Sequence, residues 1–197
     1  MNNMKMLLTV LMLLFASTAW AGDYEYGLAA YYKGDYVEAT KWFKLAAAQG
    51  DENAQYHLGE MHREGRGALQ DYAEAIRWYK LAADKGFTPA QYRLGEIYRE
   101  GRDATQNYAE AIRWYKLAAA LGNVSAQYEL AGMHEKGQGT VRDYLRAHMW
   151  FNLASVKGTA DVAENRDRIA MKMTSQQVRE AQKLARECQA RNVKNCD

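Results

Sequence analysis

A twelve-residue segment, Tyr72–Ala83, recurs without a single change at Tyr108–Ala119. Tryptophans mark the same register four times at intervals of 36 residues, at Trp42, Trp78, Trp114 and Trp150. A fixed period of this length indicates an array of repeated supersecondary units. Each unit in such an array contacts mainly its neighbours, so the repeat constrains the fold far more than it constrains an activity.

Each repeat is predicted to contain two amphipathic helices. In the first helix of one repeat, Ala54, Leu58 and Met61 fall on one face at helical spacing. In the second helix, small alanines lie beside large rings, so the rings of one helix can pack between the alanines of its neighbour. This pattern predicts that the four tryptophans form the structural core of the repeats. One helix pair cannot bury both of its faces, so the pairs are expected to stack into an all-α solenoid.

The chain divides into three predicted regions. Residues 1–21 form a secretory signal peptide, residues 22–158 form the helical repeats, and residues 159–197 form a C-terminal cap. Glycines at matching positions are expected to close the helices, because left-handed C-terminal turns favour glycine. The repeat units span residues 24–50, 54–86, 90–122 and 126–158.

The cap is predicted to be a pair of helices outside the repeat period. The first extends from Ala160 to Met173. The second extends to about Arg191, and the Thr-x-x-Gln sequence from Thr174 to Gln177 has the form of a capping box at its start. Its charged residues mostly face away from the apolar side, and a terminal cap with a polar outer face is what a helical array requires.

The N-terminus has the features of an export signal. Lys5 is its only charge, Met6–Phe15 is apolar, and Ala19 and Ala21 place small residues before a cleavage site at Gly22. An apolar run of about ten residues is too short to span a bilayer, so no stable membrane anchor is expected. The mature protein is therefore expected in the periplasm or outside the cell.

Two cysteines, Cys188 and Cys196, lie near the C-terminus. An exported chain with an even number of cysteines usually pairs them, so a structural disulfide is predicted. A redox-active pair is the alternative, although the chain has no Cys-x-x-Cys spacing.

Charge and composition provide little support for nucleic-acid binding or catalysis. The formal net charge is +2, which favours no nucleic-acid partner. No serine begins a Ser-x-x-Lys motif, and no His-Glu-x-x-His motif occurs. His57 and His62 are five residues apart and do not share one helical face. No enzyme activity, metal or cofactor is therefore expected.

The repeated motifs resemble those of a known family. Ala-Gln-Tyr-x-Leu-Gly, a Gly-x-Gly connection and Tyr-x-x-Ala-x-x-Trp-Tyr-x-x-Ala-Ala resemble the Sel1-like repeat, a relative of the tetratricopeptide repeat. Residues 54–158 match three times, whereas residues 24–50 look more like a tetratricopeptide unit because the Gly-x-Gly connection is missing. The chain departs from the motif at Asp103, Ala131 and Gly132. The resemblance implies a right-handed superhelix of antiparallel helix pairs whose first helices line a concave groove.

A polar stripe on the first helices is the predicted binding surface. Tyr56, Glu60 and Arg63 fall at i, i+4 and i+7, opposite Leu58 and Met61. The stripe continues at Tyr92, Glu96, Arg99, Tyr128 and Glu135. Alternating carboxylates and guanidinium groups suit an extended peptide of mixed charge. The alternative is that Glu60 and Arg63 simply pair with each other on a solvated face.

The resemblance implies a scaffold or adaptor that binds a protein or peptide. Exported bacterial members of this family act in envelope signalling, virulence or host interaction, so an envelope protein such as a sensor or secretion component is the expected partner. The alternative is a protein that binds a cell-wall fragment, a glycan or a β-lactam, with or without hydrolysis. Family members reported to act on β-lactams carry cysteines within each repeat, and the repeats of this chain have none.

Overall fold

The computed structural model describes residues 22–102, 106–191, 193 and 196, and every regular element among them is helical. The predicted signal peptide, residues 1–21, and Asp103 lie outside the described residues. Helix α1 occupies residues 22–32. It is followed by α2 Tyr36–Ala48, α3 Glu52–Glu64, α4 Tyr72–Asp84, α5 Thr88–Glu100, α6 Tyr108–Ala120, α7 Val124–Lys136, α8 Tyr144–Ser155, α9 Ala160–Ala170 and α10 Ser175–Ala190. The all-α fold of consecutive helix pairs is thereby confirmed.

Short polar side chains fix where most of these helices begin. The side chain at the N-cap accepts a hydrogen bond from a backbone N–H of the first turn, which satisfies donors that have no partner within the helix. The N-cap residues of this kind are Asp35, Asp51, Asp71, Asn107, Asn123, Asp143 and Thr174. Thr174 and Gln177 form the predicted capping box. Each such cap contributes about 1 kcal/mol of stability.

The chain forms two compact units, which meet in the sequence between Phe87 and Thr88. In the first unit, α3 packs against both α2 and α4. The buried cluster there is formed by Phe43, Leu58, Met61 and several alanines, with Trp78 packed against it. This arrangement buries one face of each helix, as the apolar spacing predicts.

In the second unit, α5 pairs with α6, α7 pairs with α8, and α6 also packs against α7. Helices α9 and α10 both pack against α8. Because these two helices cover α8, Leu153 is only 6% exposed, whereas Leu117, at the same register position in α6, is 42% exposed. The sequence signal for this difference is Met149, which stands where α6 carries Arg113.

The C-terminal helix is attached by apolar contacts and by a disulfide. Ala181, Ala185 and Cys188 are buried on its inner face. Cys188 and Cys196 are joined, with their Cα atoms 5.1 Å apart. Among the described residues, none of the helices combines the length and apolar character that a membrane span requires.

In each repeat the aromatic residue that follows the tryptophan is fully buried. Phe43, Tyr79, Tyr115 and Phe151 are at most 2% exposed. Trp114 and Trp150 are buried with them, whereas Trp42 and Trp78 are only half-buried. The helix facing the buried ring carries glycine in three repeats: a Cβ atom on Gly27, Gly59 or Gly95 would lie 2.5 Å from the ring of Phe43, Tyr79 or Tyr115, respectively. In these repeats the first helix can lie this close to the ring because it carries glycine at the point of contact.

Candidate partner-binding site

In the first unit, the predicted stripe residues Glu60 and Arg63 bind each other. Arg63 Nη2 donates to Glu60 Oε2 over 2.8 Å, and Arg63 also pairs with Glu64. The hydroxyl of Tyr79 donates to Glu60 Oε1 over 2.5 Å. Burial, followed by the charge and hydrogen bond of Glu60, raises the pKa of Tyr79 far above its usual value, so the hydroxyl remains a donor. The i,i+3 pairing that the sequence left as an alternative is the arrangement observed.

Tyr56, the third predicted residue of this stripe, belongs to an aromatic cluster. Its ring centroid is 5.8 Å from that of Tyr79 and 5.5 Å from that of Phe87. The neighbouring His57 stacks on Phe43 with centroids 5.0 Å apart. Burial lowers the pKa of His57, so this ring packs as a neutral side chain at neutral pH.

In the second unit, the same residue types pair differently. Arg93 Nη1 donates to Glu96 Oε2 over 2.7 Å, so Glu96 pairs with the residue three before it. Arg99 donates to the Tyr115 hydroxyl over 3.3 Å and pairs with Glu100 at 3.0 Å. The change follows from Arg93, which stands where the first unit has His57 and supplies a second guanidinium to the stripe.

Glu135, the last residue of the predicted stripe, forms ion pairs with the C-terminal cap. Two nitrogens of Arg168 donate to its two carboxylate oxygens over 2.6 and 2.8 Å, and Lys172 lies 3.2 Å away. Arg168 lies in α9, and Lys172 lies in the turn that follows it. The hydrogen bond from Arg168 is the largest cause that lowers the pKa of Glu135, to about 2. The last residue of the predicted stripe therefore contacts another part of its own chain.

An open cavity of about 350 Å³ lies on the first-helix face of the second unit. It is bounded by α5, α7 and the segment that leads into α9. Tyr92 and Tyr128 line it, together with Glu129, Lys157, Val162 and neighbouring residues. The two tyrosines rest on buried rings: Tyr92 lies 5.7 Å from Tyr115, and Tyr128 lies edge-on to Phe151 at 5.4 Å. Two of the predicted stripe residues are therefore brought to one cavity.

The repeat model of a known family matches most of the chain. The Sel1 repeat model matches residues 16–51, 53–87, 88–123 and 124–158. The chain belongs to the Sel1 repeat family. The match includes the first helix pair, which the missing Gly-x-Gly connection made more similar to a tetratricopeptide unit. No curated protein sequence matches the chain.

Solved structures of Sel1 repeat proteins have the same fold. The chain is 36% identical to c5321, a protective antigen of uropathogenic Escherichia coli strains, with a TM-score of 0.70 over 79% of this chain and 34% of that one. It is 28% identical to a Sel1 repeat protein from Oxalobacter formigenes, with a TM-score of 0.64 over 71% and 56% of the two chains. Helicobacter pylori cysteine-rich protein B shares the fold at 20% identity, with a TM-score of 0.50 over 64% and 95%. The chain thus spans about a third of the first protein and about half of the second.

Two cavity residues of this Sel1 repeat protein were missed by the sequence reasoning, Glu129 and Lys157. Glu129 could have been noticed as a position that differs between repeats, because His57 and Arg93 occupy the same register in the two preceding repeats. Lys157 lies just after α8, at the register position that carries Lys85 and Leu121 in the two preceding repeats, so the period did not single it out. Within the described part of the chain, no cluster of His, Cys, Asp or Glu side chains has a geometry that would hold a metal ion.

Proposed function

We propose that this Sel1 repeat protein is an exported scaffold that binds a protein or peptide on the first-helix faces of its repeats. Sel1 repeats generally mediate protein–protein interaction. An envelope protein, such as a sensor or secretion component, is the proposed partner, and envelope signalling, secretion or host interaction is the proposed process. The Cys188–Cys196 disulfide supports export, because disulfides persist in oxidising compartments.

The cavity lined by Tyr92 and Tyr128 is the observation that carries this proposal. Tyrosine rings offer a large amphipathic contact area and lose little conformational entropy on binding. The arginines of the stripe are less suited to gripping a partner, because Arg63 and Arg99 already bind carboxylates and a tyrosine hydroxyl of their own units. The proposed contact therefore depends on the tyrosines more than on guanidinium groups.

Sel1 repeat proteins are typically non-enzymatic scaffolds. We propose no catalytic residues and no cofactor for this chain. His57 packs in a helix interface, where it stacks on Phe43.

Affinity capture with the mature chain, beginning at Gly22, tests the proposal. The bait carrying both Tyr92→Ala and Tyr128→Ala should lose the partner that the unaltered bait captures from envelope extract. Leu117→Ala, an exposed change on a second helix, is the matched control and should retain it. Equal capture by the double tyrosine variant would rule out this face as the binding site.

A glycan or antibiotic ligand is the second candidate, because tyrosine rings that line an open cavity also stack on sugars. Incubating the same chain with muropeptides and with a chromogenic β-lactam separates the two functions. Turnover of the β-lactam, or muropeptide binding that Tyr128→Ala abolishes, would favour the second candidate. Absence of both signals, together with protein capture, would favour the scaffold.

A further inference from the structure

We propose that the cavity of the second unit accepts a basic side chain of the partner peptide, with Glu129 as its counter-charge and Tyr92 and Tyr128 as its walls. The inference rests on the proposed function, since it requires a peptide on this face. It assigns to the cavity a ligand class, a lysine or arginine side chain, that the repeat fold by itself does not specify.

Glu129 forms only a weak ion pair within its own chain. Its contact with a cation is to Arg99 Nε, and the distance is 3.5 Å. Charge-assisted hydrogen bonds between nitrogen cations and carboxylates are normally about 2.7–2.9 Å long. Arg99 also contacts Glu100 and the Tyr115 hydroxyl, so its guanidinium is shared among three groups. Glu129 therefore retains acceptor capacity for another cation.

The other carboxylates of α5 and α7 are held more tightly. Glu96 lies 2.7 Å from Arg93, and Glu135 lies 2.6 Å from Arg168. Glu100 lies 2.6 Å from Arg102. Since α5 and α7 are described in full, this comparison covers every carboxylate on the two helices. Glu129 is the one among them whose nearest cation is beyond hydrogen-bond distance for a strong pair.

Glu129 is placed where a basic side chain in the cavity could reach it. Its side chain is only 26% exposed, yet it lines the open cavity. Burial raises the pKa of Glu129; the charges of Arg99 and Lys136 counter this effect, while Glu96 and Glu100 add negative charge nearby. A partly desolvated carboxylate near other negative charges gains more from a new cation than a solvated one does.

The walls of the cavity suit a basic side chain. Tyr92 and Tyr128 line it with aromatic rings, a residue type that attracts cations, and Val162 provides an apolar contact. Lysine and arginine carry their charge on a long aliphatic stem, which packs against such walls while the charged group reaches the carboxylate. Lys157 is exposed at the edge of the same cavity, so its charge opposes the incoming basic side chain and suits an acidic group beside that residue in the peptide.

NMR titration of the mature chain with Nα-acetyl-lysine amide tests the inference, with Nα-acetyl-norleucine amide as the uncharged control ligand. Lysine amide should shift the ring resonances of Tyr92 and Tyr128 saturably in the millimolar range. Glu129→Gln and the norleucine ligand should each weaken binding about tenfold. Glu164→Gln removes one exposed negative charge outside the cavity and should leave the affinity unchanged. The thermal midpoint of each variant verifies that it is folded.

Equal affinities for the lysine and norleucine ligands, no saturable shift, or full lysine binding by Glu129→Gln would each overturn the inference. The same variant in the capture experiment separates this result from the broader proposal. If Glu129→Gln retains the partner and the double tyrosine variant loses it, the basic-side-chain inference fails while the binding face stands. If both variants retain the partner, the proposed function itself fails.

Discussion

Replacing Gly95 by alanine should destabilise the protein, although alanine is the better helix former. A Cβ atom at Gly95 would lie 2.5 Å from two ring carbons of Tyr115. The ring has little room to move, because Tyr115 is fully buried and its hydroxyl accepts a hydrogen bond from Arg99. Gly132 provides a matched control inside α7, since a Cβ atom there would meet nothing within 4 Å.

The magnitude follows from two opposing effects. Alanine in place of a glycine inside a helix gains about 1 kcal/mol. Forcing an extra methyl group into a packed interior costs about 1–3 kcal/mol. Gly132→Ala should therefore stabilise the protein by about 1 kcal/mol, and Gly95→Ala should destabilise it by up to about 2 kcal/mol. The expected difference is the overpacking cost of about 1–3 kcal/mol, or roughly 2–12 °C in Tm for a chain of this size.

Urea unfolding followed by tryptophan fluorescence measures this difference, with calorimetry as a second observable. The double variant Gly95→Ala, Tyr115→Phe provides a further test, because the fourth repeat carries Ala131 and Phe151 at these two positions. Freed from the Arg99 hydrogen bond, the phenylalanine ring should shift and recover part of the lost stability. Equal stability of Gly95→Ala and Gly132→Ala would refute the close-packing argument.

Two further predictions concern the cap. Glu135→Gln should cost about 1–2 kcal/mol at neutral pH after allowance for solvent screening. The pKa of Glu135 is lowered from 4.5 to about 2, so its stabilising effect is present above pH 4.5 and lost as pH falls toward 2. Acid unfolding should therefore be steeper for the unaltered protein than for Glu135→Gln, and parallel curves would contradict the assignment. Replacing Cys188 and Cys196 together by alanine should cost about 2–3 kcal/mol in denaturant unfolding, and reducing agent should then have no further effect.

Much of the fold was predictable because local signals and the repeat period agree. The helix starts at Asp71 and Asn107 follow from their capping side chains, and the ends follow from glycine turns. The period also placed one aromatic pair in every repeat. The period did not determine which member of the pair is buried more deeply. Adjacent residues on a helix point about 100° apart, so both can lie at the border of a broad apolar face. Phe43 is therefore buried while Trp42 is half-exposed.

The candidate site was less predictable, because its ion pairs are not repeated from one unit to the next. The Glu60–Arg63 pair lies within one helix and was foreseen as an alternative. The Glu135–Arg168 pair depends on where α9 lies, and the cap does not follow the repeat. The weak pairing of Glu129 depends on its distance from Arg99, which the sequence does not give.

Site-specific photo-crosslinking is the most direct test of the central claim, that a partner binds the first-helix face of the second unit. A photoreactive phenylalanine analogue is placed at Tyr128 in one protein and at Leu117 in another, both exposed positions of the same unit. The account predicts that the probe at position 128 crosslinks a protein partner in envelope extract and that the probe at position 117 does not. Crosslinking from position 117 alone would contradict it.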